Sequence, residues 1–206
     1  MKEVNEQLNK LRLDAEEKLR GEKTAANWLS LAEVTMACLI IFNGKRGNEV
    51  AEMLLKDLNQ TRDEKHNMVE REDAHYKQMD KKLKKIAKKT ISVEVRGKCN
   101  QKVPVLIGKS IDASLVLMEE TREECGVLDI NPFVFCKPGD PKKSLESSST
   151  LHKFRAKGFN IPHTRLVRHY IATSAVGTEI SAEQLSGHLG HTQEVHHRFY
   201  RSASNL

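Results

Sequence analysis

The chain has 206 residues, enough for one domain with its own core, alone or with a helical appendage. Only 38% are hydrophobic while 30% are charged, and no window is read as the ~18 apolar residues of a membrane span, so a membrane protein is excluded as the expected class. A formal net charge of +6 favours a polyanionic partner. The start, "MKEVNEQLNK", has no apolar signal region, and the chain reads as intracellular. Cys38, Cys99, Cys125 and Cys136 are widely spaced with no C-x-x-C pair, which argues against a zinc site and a disulfide framework and leaves them as reduced thiols.

In chain order, Val4, Leu8, Leu11, Ala15 and Leu19 recur at helical spacing and predict an amphipathic helix over 3–20. Ser30-Leu-Ala-Glu33 has the form of a capping box and predicts a second helix from there to Phe42, broken by Asn43-Gly44. Trp28 and Phe42 are expected in the core. "GNEVAEMLL" resumes the helical pattern, with "LLKDL" extending or ending it.

Residues 61–89 are almost all charged and close on the lysine-rich "KKLKKIAKK", which is either a solvated helix or insertion, or a stripe that tracks phosphates. Ile91, Val93 and Val95, then Val103, Val105 and Ile107, alternate on either side of "RGKCNQK" and predict a β-hairpin with a basic tip. A helix is expected from Ser110 to Glu124, stopped by Gly126. "NPFVFCKPGD" reads as a short strand or extended segment, and "PKKSLESSST" as a surface loop. Helical patterns follow at 147–157, 163–176, 182–189 and 193–201, the third opened by Ser181-Ala-Glu-Gln184. The outline is mostly α-helical with one small antiparallel sheet.

Three clusters carry chemistry: the turn Gly44-Lys45-Arg46 with Glu49, the hairpin tip with Lys98, and the run from Arg165 to Tyr200. If they meet at a phosphodiester, two arginine forks neutralise a pentavalent phosphorus. A lysine can protonate the leaving oxygen. A histidine donates to the phosphate, and a tyrosine attacks it to give a covalent intermediate. A free phenol has a pKa of about 10, so surrounding cations are what would make it reactive near neutrality. His188, His191, His196 and His197 lack a completing carboxylate or thiol, so no metal is expected there.

In order and spacing these segments resemble the catalytic domain of the tyrosine recombinases, the phage-integrase superfamily. "NGKRGNE" (43–49) is similar to that family's first arginine turn, T-G-x-R-x-x-E, and gives Arg46 and Glu49. "GKCNQKVPV" (97–105) resembles its lysine hairpin and gives Lys98, with Lys102 as the less favoured substitute. "RLVRHYIAT" (165–173) resembles H-x-x-R followed by R-H-x-x-A-T and gives Arg168. "LGHTQEVHHRFY" (189–200) matches L-G-H with a tyrosine nine residues after the histidine, giving His191 and Tyr200.

The resemblance implies an α+β fold of the tyrosine-recombinase catalytic type over 30–206, preceded by an N-terminal helix and linker at 1–29. It implies DNA breakage and rejoining through a 3′-phosphotyrosyl bond, with Arg46 and Arg168 on the phosphate, Lys98 as general acid, His191 in support and Glu49 orienting its neighbours. Lys81, Lys82, Lys84, Lys85, Lys88 and Lys89 would contact the backbone of double-stranded DNA. Relatives assemble as oligomers on DNA, and no cofactor or metal is implied.

The sequence departs from the pattern where Arg165 replaces the first histidine of H-x-x-R. That residue can still donate to a phosphate but cannot accept a proton, while His163 sits two residues away on another helical face. The wording of "FNGKRGNEV", "VRGKCNQKVPVL" and "HHRFYR" also resembles Crypton-type, transposon-derived recombinase domains, implying a nuclear location. The alternatives are an inactive recombinase fold kept as a DNA-binding or protein-interaction module, and a topoisomerase of related fold.

Overall fold

The computed structural model describes residues 1–70, 81, 88–97, 101–174 and 188–189. Its axis is the second helix. Helix α1 spans Lys2–Gly21 and α2 spans Ala25–Asn43. Twelve of the nineteen residues of α2 are buried, on every side of the helix, because it packs against α1 and against most of the elements described below. This changes one expectation: α2 has a mean hydropathy of 1.6, long and apolar enough to cross a membrane by length and composition. The burial of 61% of that apolar window inside the fold accounts for its composition as that of a core helix.

The start of α2 also differs from expectation. Thr24, not Ser30, is its N-cap, and the Thr24 hydroxyl accepts the Asn27 N–H at 3.2 Å. Ser30 and Glu33 have the capping-box spacing but lie inside the helix, because Thr24 satisfies the orphan donors one and a half turns earlier. Trp28 is fully buried and its indole N–H donates to the Met118 carbonyl at 2.8 Å. Phe42 is 53% exposed, contrary to expectation, since it faces away from the core at the last turn.

Beyond α2 come the short α3 (Gly47–Ala51) and α4 (Leu55–Glu70). Strands β1 (Thr90–Arg96) and β2 (Lys102–Gly108) form the expected hairpin, antiparallel with Val93 opposite Val105 and Arg96 opposite Lys102. Ile91, Val93, Val95, Val103, Val105 and Ile107 all turn to the core, as period-two alternation requires. Helix α5 (Lys109–Glu120) stops one turn short of the expected end, and turns carry the chain to Gly126, whose φ is +73°.

For "NPFVFCKPGD" the strand alternative is not realised; the segment makes single bridges, Leu54 with Phe133 and Cys136 with Ser144. The buried Arg122 guanidinium binds the carbonyls of Asn131 (2.9 Å) and Phe133 (3.1 Å), and so supplies partners that a ladder would otherwise give. The expected loop is mostly exposed over 141–146, and the helix expected at 147–157 is α6 (Ser147–Ala156), with Ser147, Thr150 and Leu151 buried. Helix α7 (Thr164–Ser174) follows, and residues 188–189 are helical. The whole is mostly helical with one two-stranded antiparallel sheet, as expected. Cys38, Cys125 and Cys136 are free and buried, and burial pushes each thiol up, that of Cys38 to about 12.

Candidate functional site

The C-terminal end of α2 organises the site. Gly44 ends the helix with φ +60°, and a Cβ there would stand 2.4 Å from Ile171 Cδ1 on α7. Only glycine combines that left-handed backbone with so close an approach. Just before it, the Asn43 side chain acts as a short strand. Its amide donates to the Leu106 carbonyl at 2.9 Å and its oxygen accepts the Leu106 N–H at 2.8 Å, which fixes β2 to the end of α2.

Arg46 then opens α3. Glu49, one turn on, accepts the Arg46 backbone N–H at 2.9 Å and the Arg46 guanidinium at 2.7 Å. From α7, Arg168 brings Nη1 to 4.0 Å from the other Glu49 oxygen. The structure thus brings Arg46, Glu49 and Arg168 together. Glu49 and Arg168 are buried, whereas the Arg46 side chain is 36% exposed, so the group is open to solvent on one side.

Two residues given no role from sequence belong to the same cluster. Lys45 is fully buried, and its ammonium donates to the His188 carbonyl. Arg168 Nη2 donates to the next carbonyl, that of Leu189, at 2.7 Å. In return the His188 ring Nε2 lies 3.0 Å from the Asn43 carbonyl. A lysine in a Gly-Lys-Arg turn looks like surface, and Asn-Gly reads only as a chain break. Sequence patterns signal neither burial.

Electrostatics follow from this packing. Burial pulls the Lys45 ammonium down to about 8; Glu49 opposes the shift, and Arg168 and Arg46 reinforce it. Burial also lowers His188, with the Lys45 charge adding to the effect. Among the described residues, Lys45, Arg46 and Arg168 stand against one carboxylate, Glu49. A desolvated cluster with excess positive charge and an open side is suited to hold an anion.

The remaining expected residues divide clearly. Arg165 is exposed on α7, one turn before Arg168. His163 is exposed too, and its carbonyl accepts the N–H groups of Leu166 and Val167 at the start of the helix. Lys81, Lys88 and Lys89 are exposed. Lys102 is exposed and pairs with Glu94 across the hairpin at 2.8 Å. Lys98, His191, Tyr200, Lys82, Lys84, Lys85, Cys99, His196 and His197 lie outside the described residues, as does most of the helical pattern at 182–189 and all of that at 193–201.

No protein-family model matches the sequence, and no curated protein matches it. The structure is similar to that of the XerH site-specific recombinase bound to its difH substrate in a pre-cleavage complex. The TM-score is 0.53 at 16% identity, over 97% of this chain and 52% of that one. Other similar structures are XerH with palindromic difH in a post-cleavage complex (TM-score 0.48, 15% identity, 96% and 49% covered) and the XerA recombinase (0.49, 15%, 95% and 58%). The chain spans about half the length of the XerH it resembles. At 16% identity the likeness is one of fold, which this chain shares remotely with the XerH recombinase.

Proposed function

We propose that this chain is the phosphodiester-handling part of a DNA strand transferase. The observation that carries the reading is the meeting of Arg46, Glu49 and Arg168, from elements far apart in sequence, with cationic charge in excess and one side open. The remote fold likeness to a recombinase that binds a difH substrate supports it.

In this reading Arg46 and Arg168 grip the non-bridging oxygens of a phosphate in double-stranded DNA, and Glu49 holds both forks in place. The Tyr200 phenol gives its proton to solvent, its oxygen bonds to phosphorus while the bond to the 5′ oxygen breaks, and Lys98 gives that leaving oxygen a proton. A 3′-phosphotyrosyl bond and a 5′-hydroxyl result, with His191 supporting the transition state and Arg165 adding a donor. Residues 30–206 make up the catalytic domain and 1–29 its N-terminal helix and linker. The lysines at 81, 82, 84, 85, 88 and 89 track the backbone, so binding weakens steeply with salt. The proposal extends to assembly of several copies on DNA, to a Crypton-type origin and to a nuclear location.

The test is incubation with nicked duplexes followed by a denaturing gel. A protein–DNA adduct lost in Tyr200→Phe supports the proposal. A second reading, a non-cleaving DNA-binding module, is favoured by the exposed Arg165 where relatives place a histidine. DNA retention without any adduct, in both proteins, would establish it.

A further inference from the structure

A lysine without solvent exposure is costly unless its charge is used. Lys45 is one, and its partner is not a carboxylate but a backbone carbonyl, that of His188. Arg168 takes the adjacent carbonyl of Leu189. His188 and Leu189 are helical, so two cations meet neighbouring carbonyls of one helical segment, and cations bound at helix carbonyls are favourable. The third bond runs the other way, with the His188 ring placed to donate to the Asn43 carbonyl. The turn at 43–46 and the segment 188–189 therefore exchange donors and acceptors. Gly44 allows α7 to close over that turn.

We propose that Lys45 is a positioning residue: its ammonium latches the backbone at His188 onto the turn that bears Arg46, and thereby sets the starting point of the chain that leads, two residues after Leu189, to His191. The role rests on the strand-transfer reading only in what it serves; the latch itself is a matter of backbone order. Among the described residues, the charged and titratable groups facing Lys45 are Glu49 on α3, Arg46 in the turn, Arg168 on α7 and His188, and with burial they bring its loss of charge to about pH 8.

Hydrogen exchange followed by mass spectrometry on the full chain tests this without needing catalysis. Lys45→Met keeps the length of the side chain and removes the ammonium; Lys45→Arg keeps a charged donor. At about pH 7 the Met variant should exchange about tenfold or more faster than wild type in peptides covering 186–192, as expected for loss of a charge-assisted hydrogen bond. Peptides from α1 and the hairpin strands should be unchanged, and the Arg variant should recover part of the protection. Wild-type exchange in 186–192 by the Met variant overturns the proposal.

If the Met variant loses protection everywhere, wild type alone decides. Opening that exposes Lys45 takes up a proton above about pH 8, so after correction for intrinsic rates the same peptides should gain protection selectively as pH rises from about 8. No selective gain overturns the latch. Adduct formation is read separately: a latch that holds in a protein forming no adduct removes the strand-transfer reading and leaves the role of Lys45 intact. Where adduct does form, Lys45→Met should slow its formation at saturating DNA.

Discussion

Two cationic centres pack beside α2, and they are built on different principles. At the first, Arg12 of α1 is 2% exposed and pairs with Glu16, one turn along its own helix. Its guanidinium also donates to the Ser110 hydroxyl at 2.7 Å, to the Ser110 carbonyl at 3.1 Å, and to Ser114, whose hydroxyl in turn bonds Glu16. One cation meets one carboxylate within a polar set that locks α1 to α5. At the second, Arg46 and Arg168 approach Glu49, while Lys45 and Arg168 also donate to backbone carbonyls. The first centre matches one cation to one carboxylate. Among the described residues the second sets three cations beside one carboxylate, which costs stability.

The largest expected effect comes from removing the shared carboxylate. Glu49→Gln leaves three cations in a desolvated cluster and should destabilise the fold by about 3–5 kcal/mol in urea titration. Added inorganic phosphate should restore part of the loss, because an anion can take the place of the missing charge. Arg12→Ala should cost less, about 2–3 kcal/mol, since Glu16 retains some contact with water. Phosphate should not restore it; equal rescue of both variants would erase the distinction between the centres.

Gly44→Ala ranks third. The left-handed backbone alone costs about 1–2 kcal/mol for an alanine, and the Ile171 tip must also move. Its thermal midpoint should fall, with protection lost first around α7 rather than around α1. The smallest effect is a pH slope. A lysine whose folded pKa is lowered, here from 10.5 to about 8, is held back by the fold while charged. Below about pH 8 both states carry the proton, and the cost is fully present. Between about 8 and 10.5 only the unfolded chain carries it, so stability rises with pH in that window. The stability difference between wild type and Lys45→Met should be flat below pH 8 and then move in favour of wild type. A slope of the opposite sign would mean that Lys45 is stabilised by its neighbours and the centre is balanced after all.

What could be read in advance follows from what each pattern encodes. The span of α1, the hairpin register and the outline of α7 came from periodicity, which reports the buried face directly. The start of α2 was misplaced because two capping signals lie six residues apart, and only packing chooses Thr24. The segment 141–150 looks polar, yet Ser147 sits against Gly47, where a Cβ would come within 2.1 Å of its hydroxyl oxygen. Close approach between α3 and α6 requires the glycine at 47, and the polar serine opposite it is buried. In the site, Arg46, Glu49 and Arg168 were legible as a motif. Lys45 and Asn43 were not, because their importance lies in the partners they meet across long stretches of chain.

The shared carboxylate also has a consequence for how the chain acquires its site. Arg46 and Glu49 pair within one helical turn, so this half is local and forms with the α2–α3 junction. Arg168 and the carbonyls of His188 and Leu189 reach it only after the hairpin, α5 and α6 have been passed, contacts whose loop-closure entropy is met late. During synthesis the N-terminal part can therefore gather around α2 with Glu49 already neutralising Arg46. Docking of the C-terminal part then adds Arg168 and gives Lys45 its carbonyl partner, so the described cluster is complete only when the last elements of the fold are in place.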